Sequence, residues 1–240
     1  IISMEKFVDI PKVKTWPSKS IVIYCGETSE KWSPNSLSTG IGGSETAVIH
    51  LARFWAQNNY SVTVFCNCDQ PDVYDNVNYV STNRFNPNDS FDIIILWRGI
   101  EMADIYDFSA RCRILDLHDL ILPSQATERI FTHMDKICVK SEYQKSLLNS
   151  TSEKIVVIPN GGAIKEDMSI TKDPNYIIYS SSYDRGLPYM LKWGWPLIKK
   201  ACPDAYLNIY YGWNGFDARV SKLNDPINIA ESNLYKDCLL

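Results

Sequence analysis

The chain has 240 residues, 45% of them hydrophobic, and a net charge of −4. That is enough apolar material for one large or two small domains, and without a run of five or six basic residues nucleic acid is not an expected partner. No apolar stretch nears the roughly 20 residues of a membrane-spanning helix, so no transmembrane segment is expected.

In chain order, the opening IISMEKFVDIPK lacks a basic region followed by a long apolar core, and no signal peptide is expected there. Apolar, β-branched runs then recur: SIVIYC (20–25), SVTVFC (61–66), FDIIILW (91–97), CRILDL (112–117), KICVKS (136–141) and KIVVIP (154–159). Several are continuous rather than alternating, the pattern of strands buried on both faces. Helix-like segments lie between them at 43–58, 100–109, 124–133 and 142–149. Strands alternating with helices predict βαβ units and an open parallel sheet, an α/β fold. In the first helix Ala47, Val48, Leu51, Ala52, Phe54 and Trp55 form the expected buried stripe, with Ser44 as a candidate cap. Ser141 is placed to cap 142–149.

VIPNGGAIKEDMSITKDPN (157–175) breaks the rhythm with Pro, Asn-Gly-Gly and an aperiodic polar stretch. It predicts a linker over 161–175 between an N-terminal domain (1–160) and a C-terminal one (176–240). The second domain offers NYIIYSSS as strand, 187–201 as helix with a kink at Pro196, and AYLNIYYG as strand. With so few residues after the linker, this domain is expected to be short or truncated.

The seven cysteines (Cys25, Cys66, Cys68, Cys112, Cys138, Cys202 and Cys238) are odd in number, and five lie in or beside strand-like runs. They read as small apolar residues of a reducing, cytoplasmic compartment rather than as a disulfide framework. Cys66 and Cys68 have no CxxC partner or nearby His, so no zinc site is expected.

The stretch GIGGSETAVIH (40–50) places three glycines at a helix start. A GxGxxG fingerprint should follow its strand at once, yet a long loop separates Cys25 from Gly40, and no GxxxxGK[ST] occurs. Two readings stay open: an anion site at the helix N-terminus, or a turn needing glycine. His118 follows CRILDL at the carboxyl end of its strand, where open α/β sheets place ligands. A lone His there is structural or functional.

Four motifs occur in order: a long loop closed by GGSE, then LDLHD, then VIPNG, then SSSYDRGL. Together they resemble the retaining GT-B glycosyltransferases of family 4, the glycogen-synthase-like type, over roughly residues 18–217. The resemblance implies two Rossmann-like domains facing a cleft, the N-terminal one on the acceptor side and the C-terminal one holding a nucleoside diphosphate sugar. Backbone amides at Gly42 and Gly43 would meet the charge developing on the departing diphosphate, with no cofactor and no metal. His118 matches the histidine that contacts the donor sugar, and Asp119 would orient it or its loop, or simply cap helix 124–133 from a distance. Arg185 matches the basic residue clamping the diphosphate. A second upstream Arg is replaced by Tyr179-Ser180-Ser181, leaving Ser180 and Ser181 as substitute donors. Gly212 and Trp213 would approach the nucleotide, or simply pack a strand end. Ser44, Glu45 and Asn160 belong to the matching motifs as donor-binding and supporting residues.

One departure is clear. The family carries a glutamate pair spaced E-x7-E in its second domain, whereas after Glu166 this chain has only Glu231, followed eight positions later by Leu239. The expected function is hexose transfer from a nucleoside diphosphate sugar, GDP-mannose ahead of UDP-glucose, to a glycan or other hydroxyl acceptor. The alternatives are a sugar-nucleotide-binding module with weak catalysis, encouraged by the missing glutamates, and a nicotinamide-dependent sugar oxidoreductase, disfavoured by the absent GxGxxG. A homodimer is compatible with either enzyme reading.

Overall fold

The computed structural model describes residues 12–162 except Ser29, residues 171–210 except 182 and 184, and isolated positions between 221 and 233. The chain divides into two compact units, Ile1–Ala163 and Ile164–Leu240.

Unit 1 is α/β, built on a mainly parallel sheet of eight strands. These are β1 (Ser20–Tyr24), β2 (Ser61–Cys66), β3 (Asp72–Tyr74), β4 (Val77–Ser81), β5 (Ser90–Trp97), β6 (Ser109–Asp116), β7 (Lys136–Val139) and β8 (Ile155–Val157). Their spatial order is β3-β4-β2-β1-β5-β6-β7-β8. Only β3 runs antiparallel, joined to β4 by a hairpin whose Asp75 and Asn76 sit at φ 50° and 61°. Both turn residues in the left-handed region make the tight hairpin turn that Asp and Asn tolerate best after glycine. Sequence reading missed this pair, because β3 is three residues long and PDVYDNVNYVS mixes turn and strand residues.

The helices of unit 1 are α1 (Ser36–Thr39), α2 (Gly43–Gln57), α3 (Ile100–Ile105), α4 (Glu128–His133) and α5 (Glu142–Leu147). Two cores result, one on each face of the sheet. Val48, Ile49 and Ala52 of α2 pack with Ile21, Ile23, Val62, Val64 and Trp97. On the opposite face Ile100, Ala103, Ile130 and Leu148 pack with Val22, Ile94, Leu96 and Leu115. This is why Ile21–Ile23 of β1 and Ile93–Trp97 of β5 are continuous apolar runs rather than alternating ones. The buried stripe of α2 is rotated from the expected one. It runs through Val48, Ile49 and Ala52, while Leu51 and Phe54 are exposed. Residues 48, 49 and 52 share one helix face, and 54 falls on the opposite side.

Caps fix the helix starts that border the sheet's carboxyl edge. The Ser141 hydroxyl accepts from the Gln144 N–H at 3.1 Å and starts α5. Thr127 does the same for Ile130, so α4 begins at Glu128 rather than 124, after a short 3-10 turn at Pro123–Gln125. At α2 the cap is Gly42, not Ser44, and no side chain caps it. At the amino edge, Asp89 accepts from the Lys14 backbone N–H at 2.8 Å and from Trp16 Nε1 at 3.0 Å, pinning the leading segment onto β5.

Unit 2 is described by itself. β9 (Tyr176–Tyr179) and β10 (Tyr206–Ile209) pair in parallel. Between them α6 (Leu187–Tyr189), a π turn (Met190–Gly194) and α7 (Trp195–Ala201) follow without a break. Pro196 cannot donate to a preceding carbonyl, and the widened π turn immediately upstream absorbs the irregularity expected there. Tyr183 and Leu187 are buried, with Met190, Leu191 and Ile209 packed against them.

Candidate functional site

The strand order locates the site. From β1 the chain moves outward through β2 to β4, then returns to place β5 on the other side of β1 and continues to β8. In open parallel sheets such a reversal opens a crevice outside the carboxyl ends of the two central strands, and ligands bind there. In this chain those ends are Tyr24 and Trp97. The long crossover helix between β1 and β2 is α2, so its N-terminus, Gly42-Gly43, belongs to this edge. His118 follows β6, the next strand along.

Arg98 joins these two sequence-predicted groups. It is the first residue after β5, in the left-handed region at φ 57°, and its N–H donates to the Asp116 carbonyl at 2.8 Å. Its Nε lies 2.5 Å from Asp119 Oδ2, in the His118 loop. Its Nη1 lies 3.8 Å from Glu45 Oε1, in the first turn of α2. The guanidinium carbon stands 5.1 Å from the centroid of the Trp97 ring. Nothing in the sequence singles this arginine out, because a single Arg after a strand matches no motif and its backbone conformation is invisible there.

Glu45 crowds the helix start. A Cβ added to Gly42 would lie 2.2 Å from Glu45 Oε2, so the glycine is what lets the carboxylate fold back over the first turn. The Ser44 hydroxyl donates to the same oxygen at 3.0 Å. A carboxylate at this position complements the positive end of the helix dipole. Gly43 has open space around its Cα.

His118 is held by Asp116, while the Asp119 side chain pairs with Arg98. His118 Nε2 and Asp116 Oδ2 are 3.1 Å apart, and Lys140 Nζ donates to Asp116 Oδ1 at 2.5 Å. Asp119 is drawn away by Arg98. Burial raises the Asp116 pKa, but the hydrogen bonds from His118 and Lys140 outweigh it and hold the carboxyl below its ordinary value. The tautomer in which Nε2–H donates to Asp116 has Nδ1 as its acceptor. The side chain is only 4% exposed, so little else of it can meet a ligand. Asp116 and Lys140 were missed as site residues although both stand in quoted runs. The usable signal was the spacing: Asp116 and His118 are two apart in an extended chain and so share a side. Asp116 is registered opposite Cys138, two before Lys140.

Buried Gln144 locks the loop. Its Nε2 donates to the Asp119 carbonyl at 2.8 Å, and its Oε1 accepts from the Lys140 N–H at 2.6 Å. Thus α5 fixes both the His118-Asp119 loop and the end of β7.

The remaining candidates lie elsewhere. Asn160 is exposed beyond β8, near the end of unit 1. In unit 2, Arg185 is exposed in the turn before α6, beside Gly186 at φ 92°, and has no ion pair among the described residues. Ser180 is exposed and Ser181 half-buried, both directly after β9. Gly212 and Trp213 lie outside the described residues. Among the described residues, Cys25, Cys66, Cys68 and Cys138 are buried free thiols, and burial pushes the Cys138 thiol up to about 11. No group of three or more His, Cys, Asp or Glu among the described residues is arranged to hold a metal, and no helix there is long and apolar enough to cross a membrane. No protein-family model matches this chain, and no curated protein matches it significantly.

Proposed function

We propose that this protein is a retaining hexosyltransferase that moves a hexose from a nucleoside diphosphate sugar, GDP-mannose in preference to UDP-glucose, onto a glycan or other hydroxyl acceptor. One observation carries the reading. Gly42-Gly43 and His118, drawn from two motifs 75 residues apart in the sequence, belong to one carboxyl edge, where Arg98 stands between their neighbours Glu45 and Asp119. In this reaction the C1–O bond to the diphosphate breaks and negative charge grows on the leaving oxygen. Amide N–H groups at the start of α2, with the helix dipole behind them, stabilise that charge. His118 Nδ1 accepts from a sugar hydroxyl and orients the hexose. The acceptor oxygen attacks from the face that the diphosphate leaves, without a covalent sugar–protein intermediate. In unit 2, Arg185 supplies a planar fork for the donor phosphates.

Calorimetric titration with each sugar nucleotide, run beside a donor-hydrolysis and transfer assay, tests this. Arg185→Ala is expected to weaken donor binding by more than about tenfold, the scale of a charge-assisted hydrogen bond. His118→Ala is expected to lower turnover by about tenfold or more, a larger effect than its cost in stability. Unchanged donor affinity in the first variant removes Arg185 from the site, and a misfolded second variant makes His118 structural. The missing E-x7-E pair favours a second reading, a sugar-nucleotide-binding module. Tight donor binding without turnover selects it.

A further inference from the structure

We infer that Arg98 is the anion-receiving side chain of the unit 1 edge, and that Glu45 and Asp119 are its resting counterions, displaced when a diphosphate arrives. This rests on the reading above, in which the diphosphate of a sugar nucleotide reaches this edge.

The inference comes from how Arg98 differs from other arginines of the same unit. Arg113 closes its fork on one carboxylate, with Nε and Nη2 at 3.0 and 3.2 Å from the two oxygens of Asp135. Arg111 grips both oxygens of Asp92 in the same way, at 2.5 and 3.3 Å. Arg129 ties the Asp104 carbonyl and Asp107 together. These are satisfied, structural pairings. Arg98 is instead shared between two carboxylates from different segments and closes its fork on neither. Asp119 meets only Nε, and Glu45 stands at 3.8 Å, beyond hydrogen-bond reach. Most of its five donors therefore have no partner among the described residues, and the side chain is 40% exposed. A phosphate group offers the paired oxygens that such a fork matches, and either carboxylate repels it.

Two opposite signs follow. Removing the cation weakens anion binding, while neutralising a counterion strengthens it. Were Arg98 only a strut between α2 and the His118 loop, removing its guanidinium in a folded variant would leave anion binding unchanged, because the carboxylates act on an anion by repulsion alone.

The test uses the full chain at low salt, titrated with inorganic pyrophosphate and, in parallel, a nucleoside diphosphate. Arg98→Gly removes the guanidinium at a left-handed position where glycine is the residue of least strain, so the fold is expected to survive. Its affinity should fall roughly tenfold or more. Glu45→Gln and Asp119→Asn should each tighten binding by about two- to fivefold, the scale of an exposed ion pair. Arg98→Lys, which keeps the charge without the fork, should fall between wild type and Arg98→Gly and serves if the glycine variant does not fold. Wild-type affinity in folded Arg98→Gly, or in Arg98→Lys where the glycine variant fails, overturns the inference and leaves the proposed function standing. So does weaker binding in both neutralised variants. A wild-type chain that binds neither probe overturns both.

Discussion

Asp116→Ala is expected to destabilise unit 1 by about 3 kcal/mol and, under the proposed function, to abolish turnover. The carboxylate is buried and has two charged or polar partners, His118 at 3.1 Å and Lys140 at 2.5 Å. Alanine would leave the Lys140 ammonium, largely buried itself, without its counterion, and breaking a buried pair from one side costs more than the pair contributes. Denaturant unfolding measures the loss. Asp116→Asn keeps the shape and an acceptor for Lys140 but no charge, so its cost should be smaller, while His118 loses the carboxylate that selects its tautomer. If both variants melt like wild type, the trio contributes nothing to stability.

The same carboxylate gives the pH dependence a definite sign. Its folded pKa lies below the unfolded value of about 3.9, so the folded state binds the proton less well than the unfolded one. The stabilisation is therefore complete well above pH 4 and is lost as the pH falls through the lowered folded value. Asp92, held down by its hydrogen bond from Arg111, acts in the same direction. So does Asp135, where burial raises the pKa but the Arg113 bonds outweigh it. Stability should hold on the neutral side and fall steeply below about pH 4, and Asp116→Asn should flatten that descent.

Trp97→Ala is the other large effect, an expected loss of about 4 kcal/mol. The ring is 2% exposed, at the end of β5 between Trp32, with ring centroids 6.5 Å apart, and His118, at 5.8 Å. Its removal opens a cavity at the centre of the α2-side core. Trp97→Phe should behave differently. The indole Nε1 is buried with no hydrogen-bond partner among the described residues, and such an orphaned donor costs about 1–3 kcal/mol. Phenylalanine forfeits some packing but removes that penalty, so a net change within about 1 kcal/mol is expected. A phenylalanine variant as unstable as the alanine one would mean that the indole N–H is satisfied in solution.

What the sequence made legible depended on how local the determinant was. FDIIILW marked β5 because a strand covered on both faces needs apolar residues throughout, and Ser141 marked the start of α5 because a cap acts within three residues. Pro196 marked an irregular helix, since its missing N–H is a property of one residue. The β3–β4 hairpin and the rotation of the α2 stripe depend on contacts across the sheet, and no window of sequence contains them. The site divides the same way. Gly42, Gly43 and His118 stood out by residue type and place after a strand. Arg98 gained its position from a reversal of strand order, and Asp116 its role from a lysine 24 residues away that adjoins it only once β6 and β7 pair.

The reversal at β1 also governs how the chain must assemble. β1 pairs with β2 about 40 residues later, but its other edge waits for β5, with Ile21 opposite Ile93. Closing that second seam orders a span of some 72 residues before its hydrogen bonds are made, so its entropic cost is met late and its rate is slow. During synthesis the half from β1 to β4 exposes an apolar edge until β5 emerges. The carboxyl edge at Arg98 thus depends on a seam between strands far apart in the sequence, and a variant that slows β5 docking would delay its assembly even if equilibrium stability were untouched.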